Sequence, residues 1–222
     1  MMGYQGFESA WPSSGALLLL FGCGVNVERP IDRGPVPKIS VGTGLTPSGT
    51  RQTPPNATAF SQTCGPDEVV TGYEVTAAGL EAGQQLESLQ GFCSAVSVDW
   101  GAGLRVVTTP SAPMAAMGMT GGAPQTQRCP DGEMVVAFSG RSGSDIDQLA
   151  IACAPLLIYG AFPRYKLNLG APEEQPGIGN LGGAPFATIS CPKGQVAVGD
   201  EGRAATIVNT FGLLCAEVRL LQ

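Results

Sequence analysis

Six of the seven cysteines stand in three matched pairs, Cys64 with Cys93, Cys129 with Cys153 and Cys191 with Cys215. Each pair brackets a variant of one phrase, C-P-x-G-x-V-x-V-G…G-R…D-x-L-x-L-x-C, so the chain carries a threefold internal repeat. Self-similarity at a fixed period constrains architecture before any local signal does, because a unit of this size cannot cover its apolar face alone and must bury it on its neighbours.

The second and third copies align from cysteine to cysteine without a gap, matching Gly132 with Gly194, Gly140 with Gly202 and Arg141 with Arg203. The first copy carries five extra residues and lacks the Gly-Arg pair, yet Gly72 keeps the register of Gly199 and Leu89 that of Leu149. Upstream of each first cysteine a basic residue opens an alternating stretch, at Lys38-Ile-Ser-Val, Arg105-Val-Val-Thr and Lys166-Leu-Asn-Leu. The repeats therefore divide as 38–104, 105–165 and 166–222, and together they make one domain, 38–222.

Within the repeats, apolar and polar residues alternate at Ile39/Val41, around Val135, at Val196/Val198, through Ile146, Leu149 and Ile151, and at Val218/Leu220. Alternation marks half-buried strands, and the runs are bounded by glycine, proline, asparagine or serine, which supply turns. Only Ala78 to Gln90 reads as a short helix. With 32 Gly and 18 Pro the chain suits many short strands, so the fold class is all-β.

Composition excludes several functions. A net charge of −6 without a basic face argues against nucleic acid, whose binders cluster Lys and Arg against phosphate. The absence of histidine removes Ser-His-Asp and Cys-His catalysis and the usual metal-hydrolase ligand. The carboxylate pairs Asp145/Asp147 and Glu173/Glu174 read as solvated turn residues rather than a glycosidase pair. Gly177 to Gly182 matches the G-x-G-x-x-G dinucleotide pattern, but Gly183-Ala-Pro185 follows where a helix would have to begin. No enzyme, cofactor or metal is expected.

Cysteines paired at equivalent positions read as one disulfide per repeat, and disulfides persist in oxidising compartments. Without a C-x-x-C or a histidine, a zinc site would have to gather cysteines from different repeats. An export signal belongs at the N-terminus, where residues 1–22 contain the short apolar run Gly15 to Gly22. Leu20-Phe21-Gly22-Cys23 resembles the lipobox of bacterial lipoproteins, which makes Cys23 the expected lipidation site. Residues 23–37 would form a Pro- and Gly-containing tether, with the domain anchored at the cell envelope; ordinary secretion is the alternative.

Two segments suggest a family. Gly179-Asn-Leu-Gly-Gly-Ala-Pro-Phe186 and Phe138-Ser-Gly-Arg-Ser-Gly-Ser-Asp-Ile-Asp147-Gln-Leu resemble the G-x-G-G-x-P-F and G-F-x-G-R-S-G-x-x-I-D-x-I elements of jacalin-like lectins. The cysteine-bracketed units are similar to vitelline membrane outer layer protein. Both resemblances imply a β-prism, three four-stranded sheets around a pseudo-threefold axis, in which the Lys38 strand closes the sheet of the third repeat.

The resemblance further implies polysaccharide or glycoconjugate binding. The candidate ligand residues are Arg141, Ser142, Ser144 and Asp145 in one polar loop, and Asp99 with Trp100, whose ring could stack on a sugar or belong to the core. The residues themselves also admit structural roles: turns at Gly140, Gly143 and Gly202, loop carbonyls bound by Arg141 and Arg203, and turn capping by Asp147 or Asn209. The alternative function is a structural or protein-interaction domain without a small ligand.

Overall fold

The computed structural model describes residues 35–47, 57–77, 85–101, 103–119 and 121–221. The expected leader, Cys23 and the tether as far as residue 34 lie outside the described residues. Those residues hold sixteen strands and no helix. Three long hairpins dominate: β4 (Glu68–Ala77) with β5 (Leu86–Asp99), β9 (Glu133–Ser142) with β10 (Ile146–Tyr159), and β15 (Gln195–Ala204) with β16 (Val208–Leu221).

Each hairpin is the centre of a sheet, and the outer strands of the first two sheets come from the chain that follows their hairpins. β6 (Arg105–Pro110) and β8 (Ala123–Arg128) flank the first hairpin, and β11 (Lys166–Leu169) and β14 (Ala184–Ser190) flank the second. The third hairpin is flanked instead by β1 (Lys38–Val41) and β3 (Thr58–Thr63), which precede the first hairpin in the chain. Lys38 pairs with Leu221 and Val41 with Val218, so β1 covers what would be an open edge of β16. The two-residue strands β2 (Thr46–Pro47), β7 (Met117–Gly118), β12 (Glu173–Glu174) and β13 (Ile178–Gly179) enlarge the expected four-stranded sheets to five, six and five strands. The architecture is an all-β prism with pseudo-threefold symmetry.

The core follows from matching register. Val70 pairs with Cys93, Val135 with Cys153 and Ala197 with Cys215, so the disulfides lie in one layer. Cys64–Cys93, Cys129–Cys153 and Cys191–Cys215 form as the repeat implies, each with Cα atoms 5.6–5.7 Å apart. The next layer holds Tyr73 opposite Gly91, Phe138 opposite Ile151 and Asp200 opposite Leu213. Volume is redistributed there: Met114 fills the space above Gly91, where an added Cβ would meet its methyl at 2.1 Å. Phe211 completes the centre, edge-on to both Tyr73 and Phe138 at centroid distances of 5.3 and 4.8 Å.

A carboxylate in that layer is anomalous. Asp200 is 0% exposed, and neither of its oxygens accepts a hydrogen bond of ordinary geometry among the described residues. Desolvation pushes its carboxyl up to about 7, partly offset by the Gln62 amide alongside. The Tyr73 hydroxyl, equally buried, is raised by its own burial and then by the Asp200 charge.

The expected helix over Ala78–Gln90 is corrected at its C-terminal end: Leu86–Gln90 opens β5, while 78–84 lie outside the described residues. Gly202 also differs from expectation. It is needed for close approach, since an added Cβ would stand 2.1 Å from the Thr210 carbonyl oxygen.

Candidate functional site

The three hairpins turn at one end of the prism, and each carries a bulge at the same place. Ile146 pairs with Ser142 and Gln148 with Arg141, which leaves Asp147 as the extra residue. Glu87 is the extra residue of the first hairpin and Asn209 of the third. A bulge re-aims a side chain out of the ordinary alternation. Here all three present a buried oxygen, Glu87 Oε2, Asp147 Oδ2 and Asn209 Oδ1, that accepts no hydrogen bond among the described residues.

The second hairpin has the most completely described of these turns. The loop before β14, Gly182-Gly183, lies over it and is held by Arg141, whose Nε donates to the Gly182 carbonyl at 2.8 Å and Nη2 to the Gly183 carbonyl at 2.7 Å. Gly183 has a φ of +58°, and an added Cβ would stand 2.5 Å from Asp147 Oδ2. Glycine at this position therefore lets the loop backbone close over a carboxylate oxygen that has no donor among the described residues. Burial raises the Asp147 carboxyl first of all, the Gly143 N–H draws it down, and the nearby Asp145 raises it again. Beneath the loop, the Asn180 N–H donates to the Asp147 backbone carbonyl at 2.8 Å.

Of the four loop residues expected to meet a ligand, most are engaged by the fold. Ser142 is buried in the last position of β9. Asp145 is buried as well, accepting from Ser144 Oγ at 2.8 Å and from Asn209 Nδ2 at 2.7 Å, so it joins the second hairpin to the third. Arg141 performs the carbonyl-binding role expected of it, and Arg203 does the same more sparsely, donating from Nη1 to the Ala57 carbonyl at 3.0 Å. The oxygen left without a donor among the described residues belongs instead to Asp147, a motif residue whose position in the bulge sequence reading missed. A second copy of the four-residue string Gly-Gly-Ala-Pro at 121–124, repeating 182–185, is the signal that could have drawn attention to the glycine-covered acids.

Asp99 and Trp100 belong elsewhere. Trp100 follows the last residue of β5, and its ring meets Tyr165 edge-on, with centroids 6.1 Å apart. Tyr165 precedes β11 and stands beyond the C-terminal end of β10, while Asp147 is near its N-terminal end. At ~3.3 Å per residue, the 14 residues of β10 put the two clusters roughly 40 Å apart. Asp99 is committed to its own hairpin, bound to Arg105 Nε at 3.0 Å and to the Gly101 N–H at 3.0 Å, contacts that hold its carboxyl below the usual range.

Other candidate chemistry is absorbed by the sheets. Ile178 and Gly179, inside the dinucleotide-like string, form β13 against β10. Glu173 and Glu174 are exposed on β12.

No protein-family model and no curated protein matches the chain. Among solved structures it is similar to wild-type Malaysian banana lectin, at 18% identity and a TM-score of 0.47 over 79% of this chain and 100% of that one. It is likewise similar to a prostate-specific WGA16 glycoprotein lectin, at 16% identity and a TM-score of 0.49 over 76% and 99% of the two chains. A third similar structure is AcmJRL, a mannose-binding jacalin-related lectin from Ananas comosus, at 17% identity and a TM-score of 0.44 over 77% and 96%.

Proposed function

We propose that this domain is a lectin-like carbohydrate-binding module whose primary site is the turn of the second hairpin under the Gly182-Gly183 loop. The observation that carries this reading is Asp147 Oδ2, a buried carboxylate oxygen without a donor among the described residues, directly beneath the exposed Gly183 backbone. A sugar hydroxyl donates a charge-assisted hydrogen bond to such an oxygen, and backbone groups of a glycine loop can meet its neighbours. Arg141, Ser142, Ser144 and Asp145 then act chiefly by holding the loop and turn in place. Asp99 and Trp100 stand too far away to serve the same sugar ring. The two segments that resemble jacalin-like lectins, apart in sequence, are the ones joined by Arg141.

Export belongs to the same proposal: three disulfides suit an oxidising compartment, and a lipidated Cys23 would hold the domain at the cell envelope. The test is a glycan and polysaccharide array probed with the full chain carrying its disulfides. Selective binding lost in Asp147→Ala and kept in Trp100→Ala supports the site. Binding lost only in Trp100→Ala moves it to the other end, and no binding by a folded sample returns the domain to a protein-interaction role. That second reading draws on Leu157, Tyr159 and Phe162, exposed at the end away from Asp147.

A further inference from the structure

The three sheets differ on their outer faces. On the first, Phe92 is covered by the Arg128 guanidinium at 3.6 Å from the ring centroid, and Thr126 donates to Glu74. On the third, Leu214 and Glu201 take the corresponding positions. On the second these positions are small: Ala137 opposite Ala152, and Ser139 opposite Ala150. Its outer strand also departs from the ladder. β14 slips between Phe186 and Ile189, so that Ala187 and Thr188 leave the register, whereas β8 and β3 run beside their hairpins without a break.

Small floor residues and a displaced wall leave a groove. Three adjoining depressions of about 440, 200 and 480 Å³ follow one another along this face. The first and second share Ser139, Glu174 and Thr188, and the second and third share Ala137, Pro172 and Ser190. The run begins at Arg141 and Pro185, directly beside the Asp147 turn, and ends at Lys193 and Val218. The third sheet repeats the far depression, of about 340 Å³, around Cys64 and Val198.

We propose that this groove holds an extended chain of neutral sugar residues whose end is bound at the Asp147 turn. The inference rests on the carbohydrate-binding reading and names its ligand class, a polysaccharide chain rather than a single terminal sugar. Charge on the lining is sparse and mixed, with Arg141 and Lys193 at the two ends and Glu174 between them, which disfavours a polyanion. Its polar groups are amides and hydroxyls, from Gln148, Gln175, Ser139, Thr188 and Ser190, suited to the hydroxyls of a polyol. A peptide strand cannot extend the ladder at this floor, because β9 and β10 are interior strands bonded on both sides.

The test uses the full chain and oligosaccharides of increasing length cut from neutral mannan, glucan and galactan, titrated by calorimetry. Affinity for the preferred series is expected to rise by roughly tenfold or more from disaccharide to hexasaccharide. Thr188→Trp and Glu174→Trp, on opposite walls and both exposed, should remove that gain while leaving disaccharide binding unchanged. Affinity that stays flat with length, or a gain that survives both variants, overturns the groove and leaves the Asp147 site standing. Failure of every sugar to bind, with the fold intact by circular dichroism, overturns both readings.

Discussion

The second and third hairpins share one register, yet they exchange acid and non-acid at two equivalent places. Nine residues after the opening cysteine, the second has Phe138 and the third Asp200; eighteen after it, the second has Asp147 and the third Asn209. Both acids are buried, but in different company. Asp200 stands in the centre of the prism among apolar layers, where no ligand can reach it, while Asp147 is in a bulge at the hairpin end, directly beneath the exposed Gly183. A pseudosymmetric scaffold therefore assigns the same residue type opposite consequences, a liability in one layer and, in the proposed site, a recognition group in another.

The largest expected effect comes from erasing that liability. An ordinary aspartate titrates near 3.9, whereas Asp200 titrates at about 7 in the fold. The folded state therefore binds its proton more tightly. Stability is complete below the unfolded value, falls as pH rises toward 7, and then levels, with a loss on the order of 4 kcal/mol. Asp200→Asn should flatten this profile, and Asp200→Leu should raise Tm at pH 8 by making the layer resemble Phe138. Thermal unfolding between pH 4 and 8 checks both; an unchanged pH profile in Asp200→Asn would falsify the assignment.

Next come the disulfides. Cys129–Cys153 and Cys191–Cys215 both span a sequence separation of 24. Replacing either pair by serine should cost about 3 kcal/mol, and the two losses should be alike in chemical denaturation. Unequal losses would show that the two hairpins differ in the stapled layer as well.

The paired arginines should separate by a smaller amount. Arg141 makes two hydrogen bonds to loop carbonyls and Arg203 one that the structure describes to Ala57. Arg141→Ala is expected to cost about 2 kcal/mol and Arg203→Ala about 1 kcal/mol. The former should also weaken glycan binding, because the diglycine loop loses its tie.

Asp147→Asn gives the smallest change in stability, under about 1 kcal/mol, since it only makes position 147 like position 209. Its effect on glycan affinity should be a loss of roughly tenfold or more, as a charged acceptor becomes neutral. Retained affinity in a calorimetric titration would remove Asp147 from the site.

Much of the fold was legible because the repeats state the same pattern more than once. Lys38, Arg105 and Lys166 open β1, β6 and β11, and the six cysteines pair within their repeats. The helix read over Ala78–Gln90 shows where local pattern misleads. Leu86 and Leu89 are three apart, as on a helix face, but the spacing arises because the bulge at Glu87 adds a residue to a strand. The same spacing separates Ile146 from Leu149 and Val208 from Phe211.

The site was less legible for a related reason. Asp145 looks like an exposed turn residue until Asn209, sixty-four positions away, donates to it. Asp147 looks like a capping residue until the bulge turns it under Gly183. In the sequence Trp100 and Asp145 are comparable candidates, and only the direction of the long strands puts them at opposite ends.

The sequence by itself determined the threefold repeat, the disulfide pairing, the strand-rich class and the absence of histidine chemistry, because composition and spacing along one chain carry those properties. Only the tertiary structure decided which acids lose their solvent, which outer face is left as a groove, and which residue each hairpin's bulge turns inward. Burial and hydrogen-bond satisfaction depend on what other strands bring to a position, and in this prism the partners come from other repeats.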